Sequence, residues 1–274
     1  MMVTSVNQVL YQPELILKQL EGIELASSYV YISGSLLEGF GNEKSDIDVY
    51  VICKEIPKKF PQNNVEESLL WEGQTLVHNV IQGGVRYDFE YWTWDCFNKS
   101  INNLQKIDFK TEEYIERISD AELDLLHRLK YAKPLINSKD FFNFHNMLQF
   151  DNLGYYQAVI ASEIFTALVE DIQGALLSYD LGSAFFMVRR LVELATVSYL
   201  AIHGETNPNS KWLFRKMKRY EENTGDTQLL VKYLKYQTHP FEKATVEGYI
   251  KEAMKFAQSL NAKVQQALQE IQKA

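Results

Sequence analysis

The apolar residues of this chain change period part-way along it, and that change restricts the fold more than any other feature. Up to about residue 94 they sit in short runs rich in β-branched and aromatic side chains; from about residue 111 they recur every three or four positions. Alternation suits a half-buried strand, and a spacing of three and four suits one face of a helix. The pattern predicts a mixed α+β half followed by an all-α half, two domains with a boundary near residue 110. Residues 28–33, 46–53, 76–81 and 85–94 are the expected strands, the last two joined through Gln82-Gly83-Gly84 as a hairpin. Val9, Leu10, Leu15, Leu17 and Leu20 predict an opening helix stopped by Gly22, and Pro57 and Pro61 mark 54–64 as a loop. The first domain, 1–110, is thus expected to be a mixed sheet, antiparallel at its hairpin, with helices on one face. Helices over 121–131, 154–177, 183–202, 212–220, 229–236 and 246–271 make the second domain, 111–274, a bundle.

Composition narrows the classes. Hydrophobic residues form 46% of the 274 positions and aromatics 13%, enough for a sizeable core. No run approaches the roughly 18 uncharged apolar residues of a membrane span. Residues 1–12 lack a basic stretch followed by an apolar one, so no secretory signal is expected. Cys53 and Cys96 have no metal-type spacing, and the compartment reads as the reducing cytoplasm. The net charge of -8 argues against a grip on duplex DNA or long RNA and suits a small cationic acceptor or a protein acceptor with a basic patch.

The chemistry concentrates in residues 32–51. Gly34 lets the backbone take a turn closed to other residues and approach a ligand closely. Ser35 adds a hydroxyl and an N–H at a turn that leads into a short helix, and helix starts attract phosphate. Asp46 and Asp48 are two apart on a strand, so both carboxylates share a face while Ile47 and Val49 point to the other. Paired carboxylates repel unless a cation lies between them, and Mg²⁺ takes oxygen ligands from carboxylates and substrate phosphates. Asp88 and Glu90 repeat the two-residue spacing on a later strand. If that strand pairs beside the first, Asp88 reaches the same metal. Glu90 is left open as the third ligand, as a general base beside Asp88, or as a partner of Arg86.

Gly34-Ser35, ten intervening residues, Asp46-Ile47-Asp48-Val49 and the downstream Arg86-Tyr87-Asp88 together resemble the DNA polymerase beta-like nucleotidyltransferase superfamily. Gly39 and Ser45 fit the common form of that motif, and Ser33 departs from it where an apolar residue is usual. The match spans residues 28–92. The resemblance implies an enzyme in which Gly34, Ser35 and Ser45 bind the nucleotide. Asp46, Asp48 and Asp88 hold two Mg²⁺ ions, and Asp88 helps to deprotonate the acceptor. The donor is ATP or another NTP, and pyrophosphate leaves. In the second half, residues 189–204 followed by Pro208-Asn-Ser-Lys-Trp212 look like the helical domain of aminoglycoside nucleotidyltransferases. There a lysine past the helix end contacts the triphosphate, the place taken by Lys211. That likeness implies transfer, AMP being the expected group, to a small hydroxylated acceptor, and so antibiotic resistance.

Several of these residues have ordinary explanations too. Ser35 and Ser45 are common turn caps, the aromatics 87–94 suit a core, and Lys211 suits a solvated helix start. Arg189 and Arg190 lie in an apolar helix where at least one needs a partner, with Glu193 one turn away. His203 and His239 are taken as structural, and Glu170 and Asp171 as a solvated face. Nucleotidylation of a protein or tRNA in a toxin–antitoxin-type system is the rival activity, and a non-catalytic nucleotide sensor the rival class. RNase activity of the HEPN type is set aside, since no His follows Arg189 or Arg190 at its spacing of four to six. The oligomeric state is left open, a homodimer included.

Overall fold

The computed structural model describes residues 13–58, 60, 66–108, 117–206 and 209–273. Val9, Leu10, Pro61, Pro208 and the expected boundary at 110 lie outside that set. The chain forms two compact units, Met1–Lys106 with Ile118–Leu148, and Ile107–Arg117 with Gln149–Ala274. The stretch Ile118–Leu148, which the apolar period assigned to the helical half, belongs to the sheet unit.

In the sheet unit the elements run α1 (Pro13–Leu17), β1 (Tyr29–Ser33), β2 (Ile47–Cys53), β3 (Glu66–Glu72), β4 (Thr75–Gln82) and β5 (Val85–Thr93). They are followed by α2 (Trp94–Gln105), α3 (Asp120–Lys130), β6 (Lys133–Pro134) and α4 (Ser138–His145). The sheet order is β3-β4-β5-β2-β1-β6. Central β2 and β5 pair in parallel, and every other pair is antiparallel. The alternation of β2 and β5 separates the two faces. Ile47, Val49 and Val51 join Val30, Ile32, Phe89 and Tyr91 in an apolar core closed by Ile16 and Leu20. The opposite face carries Tyr31, stacked on Tyr50 at 5.1 Å and touched by Phe141 of α4 at 5.4 Å. The three longer helices of the unit gather on that side, and the short α1 lies on the other.

Four elements of this unit, β3, α2, β6 and α4, had no counterpart in the apolar pattern. The edge strand β3 is exposed along its whole length, and its sequence Glu-Glu-Ser-Leu-Leu-Trp-Glu does not alternate. Helix α2 begins directly after β5, where Thr93 Oγ1 accepts a hydrogen bond from the Cys96 N–H and caps its first turn.

Helix α3 starts with a capping box. Ser119 Oγ accepts from the Glu122 N–H at 3.3 Å, and the Glu122 carboxylate accepts from the Ser119 N–H at 3.1 Å.

The helical unit holds α5 (Asp151–Leu177), α6 (Leu181–Ile202), α7 (Leu213–Thr224), α8 (Gln228–Gln237) and α9 (Val246–Lys273). Their apolar faces meet around Leu191, Val192, Leu200, Ile250 and Ala257, all fully buried or nearly so. Arg190 pairs with Glu193 at 2.9 Å, and Arg189 donates to the Gln237 carbonyl. His203 meets Tyr199 edge to face, and His239 stacks on Tyr249. Glu170 and Asp171 are exposed. No described helix is long and apolar enough to cross a membrane.

Candidate metal and nucleotide site

The parallel register of β2 and β5 sets Asp48 opposite Asp88 and Tyr50 opposite Glu90. Adjacent strands lie about 4.8 Å apart, so side chains in register on one face meet. Asp46 stands just before β2. Asp46, Asp48 and Asp88 each offer a carboxylate oxygen, and the three atoms lie within 4.8 Å of one another.

Gly34 follows β1, where Ser33 pairs with Asp48. Its φ is +88°, a left-handed conformation that glycine adopts without strain. A β-carbon there would fall 1.7 Å from Asp48 Oδ2 and 3.0 Å from Arg128 Nη1. Only the missing side chain lets the Asp48 carboxylate come against the turn. Ser35 is buried, and its carbonyl accepts from the Phe40 and Gly41 N–H groups at 2.8 Å. The Ser45 hydroxyl accepts from the Asn42 N–H at 2.9 Å and closes the turn that delivers Asp46. Lys211 belongs to the helical unit, with its Nζ 5.4 Å from the ring of Trp212.

The electrostatics are those of a site short of positive charge. Burial, opposed by Arg128 and reinforced by Asp46, Asp88 and Asp124, pushes the Asp48 carboxyl up to about 7. Burial also raises Asp88, against the pull of Arg86. Arg86 grips Asp88 with two hydrogen bonds, Nε to Oδ1 at 2.7 Å and Nη2 to Oδ2 at 2.8 Å. That settles the partner of Arg86, which is Asp88 and not Glu90. Glu90 accepts from Trp92 Nε1 at 2.7 Å, and burial pushes it up to about 7. It lies outside the group of three. The donor set suits a hard divalent cation, since it is all oxygen and its carboxylates are costly to ionise together.

Two residues of the site went unnoticed in the sequence. Arg128 and Asp124 of α3 reach the acidic face, with Arg128 Nη1 3.6 Å from Asp48 Oδ2 and Nε 3.3 Å from Asp124 Oδ2. Tyr50 OH donates to Asp124 at 3.4 Å. The available signal was an arginine set among Leu125, Leu126 and Leu129, all fully buried.

No protein-family model matches the chain, and no curated protein matches it in sequence. Among solved structures it is similar to a nucleotidyltransferase-like protein from Exiguobacterium sibiricum. The likeness covers 93% of this chain and 74% of that one, at 8% identity and a TM-score of 0.47. A score of that size says nothing about activity, which rests on the side chains above.

Proposed function

We propose that the chain is a Mg²⁺-dependent nucleotidyltransferase whose active centre is formed by Asp46, Asp48 and Asp88. The observation that carries this is the meeting of three carboxylate oxygens from two parallel strands beside a glycine turn that only glycine fits. Asp46, Asp48 and Asp88 hold the metal, and Gly34 and Ser35 receive the outer phosphates of an NTP. Bound Mg²⁺ supplies charge neutralisation on the triphosphate. Arg86 fixes the Asp88 carboxylate by two hydrogen bonds, one to each oxygen. Asp88 takes the hydroxyl proton as the acceptor oxygen bonds to the α-phosphorus and the bond to pyrophosphate breaks. The finer reading is ATP as donor and AMP passed to a small cationic acceptor such as an aminoglycoside-like antibiotic. It is supported by the net charge of -8 and by the likeness of residues 189–212 to the helical domain of such enzymes.

The test is pyrophosphate release with each NTP and Mg²⁺ against a panel of hydroxylated amines, with Asp46→Asn and Asp48→Asn as controls. Release that needs one acceptor and disappears in both controls is the expected result. Full turnover in either control, or no Mg²⁺-dependent NTP binding by calorimetry, sinks the reading. NTP binding without turnover on any small acceptor moves the acceptor to a protein or an RNA.

A further inference from the structure

The two ends of the aspartate group are each met by a guanidinium, and the two are built differently. Arg86 lies on the same strand as its partner and is half exposed, with 52% of its side chain accessible. Arg128 comes from α3 and is 14% accessible. Its helix is fastened to the glycine turn on both sides of it. Ser33 Oγ donates to the Arg128 carbonyl at 2.6 Å, and the adjacent His127 meets Glu38 of the turn at 2.9 Å, both side chains buried. These contacts fix the backbone from which the guanidinium extends, and Asp124 holds the guanidinium itself, Nε to Oδ2 at 3.3 Å. It faces Asp48 across the open space at Gly34, where a β-carbon would come within 3.0 Å of Nη1.

A cation fixed 3.6 Å from a metal-ligand oxygen does two things. It offsets the mutual repulsion of the carboxylates. It also opposes any divalent cation approaching the same oxygen, because like charges at this range in a partly buried site repel strongly. A triphosphate removes the opposition, since its negative charge accommodates both cations.

We propose that Arg128 is a positioning residue acting through Asp48. It is a tethered counter-cation that keeps the aspartates aligned before catalysis and holds down the affinity of the nucleotide-free site for divalent ions, so that the metal enters with the nucleotide. The proposal rests on the metal-site reading above. Arg128 makes no contact with reacting atoms in this role.

The experiment is a titration of Mn²⁺ into the nucleotide-free full chain, followed by the electron paramagnetic resonance of free Mn²⁺. The proteins are the natural chain, Arg128→Gln, Arg128→Lys and Asp48→Asn. Arg128→Gln is expected to bind Mn²⁺ about tenfold more tightly than the natural chain, a change of ~1.4 kcal/mol. Arg128→Lys keeps the charge and stays within about twofold. The direction matters, because a residue that merely shaped the site would weaken binding when lost. Arg128→Gln binding Mn²⁺ equally or more weakly overturns the proposal. When Asp48→Asn also abolishes binding, that result overturns the role of Arg128 alone and leaves the metal site standing. Mn²⁺ binding that is absent from the natural chain and from Arg128→Gln, or indifferent to Asp48→Asn, overturns the metal-site reading and this proposal together. Should Arg128→Gln fail to fold, Arg128→Gln/Asp124→Asn removes the pair and leaves neither charge stranded. Tighter Mn²⁺ binding by that variant supports the proposal, and equal or weaker binding overturns it.

Discussion

In the helical unit Glu205 accepts two hydrogen bonds from Arg219, at 2.8 and 2.6 Å, so that one carboxylate is answered by one guanidinium. In the sheet unit Asp46, Asp48, Asp88, Glu90 and Asp124 gather where Arg86 and Arg128 are the described arginines that pair with them. The first arrangement is complete as it stands and serves the fold. The second gathers five acidic groups around two guanidinium groups, an excess of negative charge that costs stability in a partly buried place. On the function proposed above, a cation from outside completes it.

The contrast is open to direct attack. Asp46→Asn and Asp48→Asn are expected to lower pyrophosphate release by at least ~10³-fold, about 4 kcal/mol of transition-state stabilisation, measured with the acceptor found above. Arg219→Met should leave that rate unchanged, and the comparison breaks if both units respond alike. Gly34→Ala comes next. Its methyl group meets the Asp48 carboxylate and its φ is left-handed, so urea unfolding should show a loss of about 3–4 kcal/mol. Gly22→Ala, also at positive φ but with open space around it, should lose only about 1 kcal/mol. Equal losses would mean that the Asp48 contact has no energetic weight.

Arg219→Met should cost about 3 kcal/mol by leaving Glu205 unpaired, and Glu205→Gln/Arg219→Met should recover most of it. The same urea measurement decides. Acidity gives a smaller effect. Asp48 and Glu90 stand at about 7 in the fold, above the usual carboxylate range of the unfolded chain. The folded state therefore keeps protons that the unfolded state gives up. Their contribution is whole below about pH 4 and is lost as pH rises through about 7. In EDTA the melting temperature should be ~3–5 °C lower at pH 8 than at pH 5, with the difference reduced by Asp48→Asn. A melting temperature that rises over this interval and ignores Asp48→Asn would contradict the electrostatic account. Least of all, Ser33→Ala should cost about 1 kcal/mol through the hydrogen bond to the Arg128 carbonyl.

Much of the sheet unit was legible because the relevant interactions are local. Alternation in β2 and β5 placed Asp48 and Asp88 on one face, and the Gly83-Gly84 turn marked the β4–β5 hairpin. The long helices of the bundle announced themselves through their apolar spacing. That β2 and β5 lie side by side was considered only because two carboxylate pairs wanted a common metal, and the parallel direction of their pairing was not written in either strand. Arg128 was missed because its meaning depends on a contact with Asp48 far away in the chain, and nothing in the periodicity of α3 distinguishes a helix packed on a sheet from one packed in a bundle. The edge strand β3 was missed because it buries neither face.

The interrupted path of the sheet unit has a bearing on synthesis. The chain completes β5, passes through residues of the other unit, and returns to lay α3 against the strands. On a ribosome adding 5–20 residues each second, Arg128 emerges roughly 2–8 s after Asp88. During that interval the nascent strands hold their aspartates without the helix that later braces them. A gene truncated or spliced after codon 110 would preserve every acidic residue named in the strands and still encode an unfinished module.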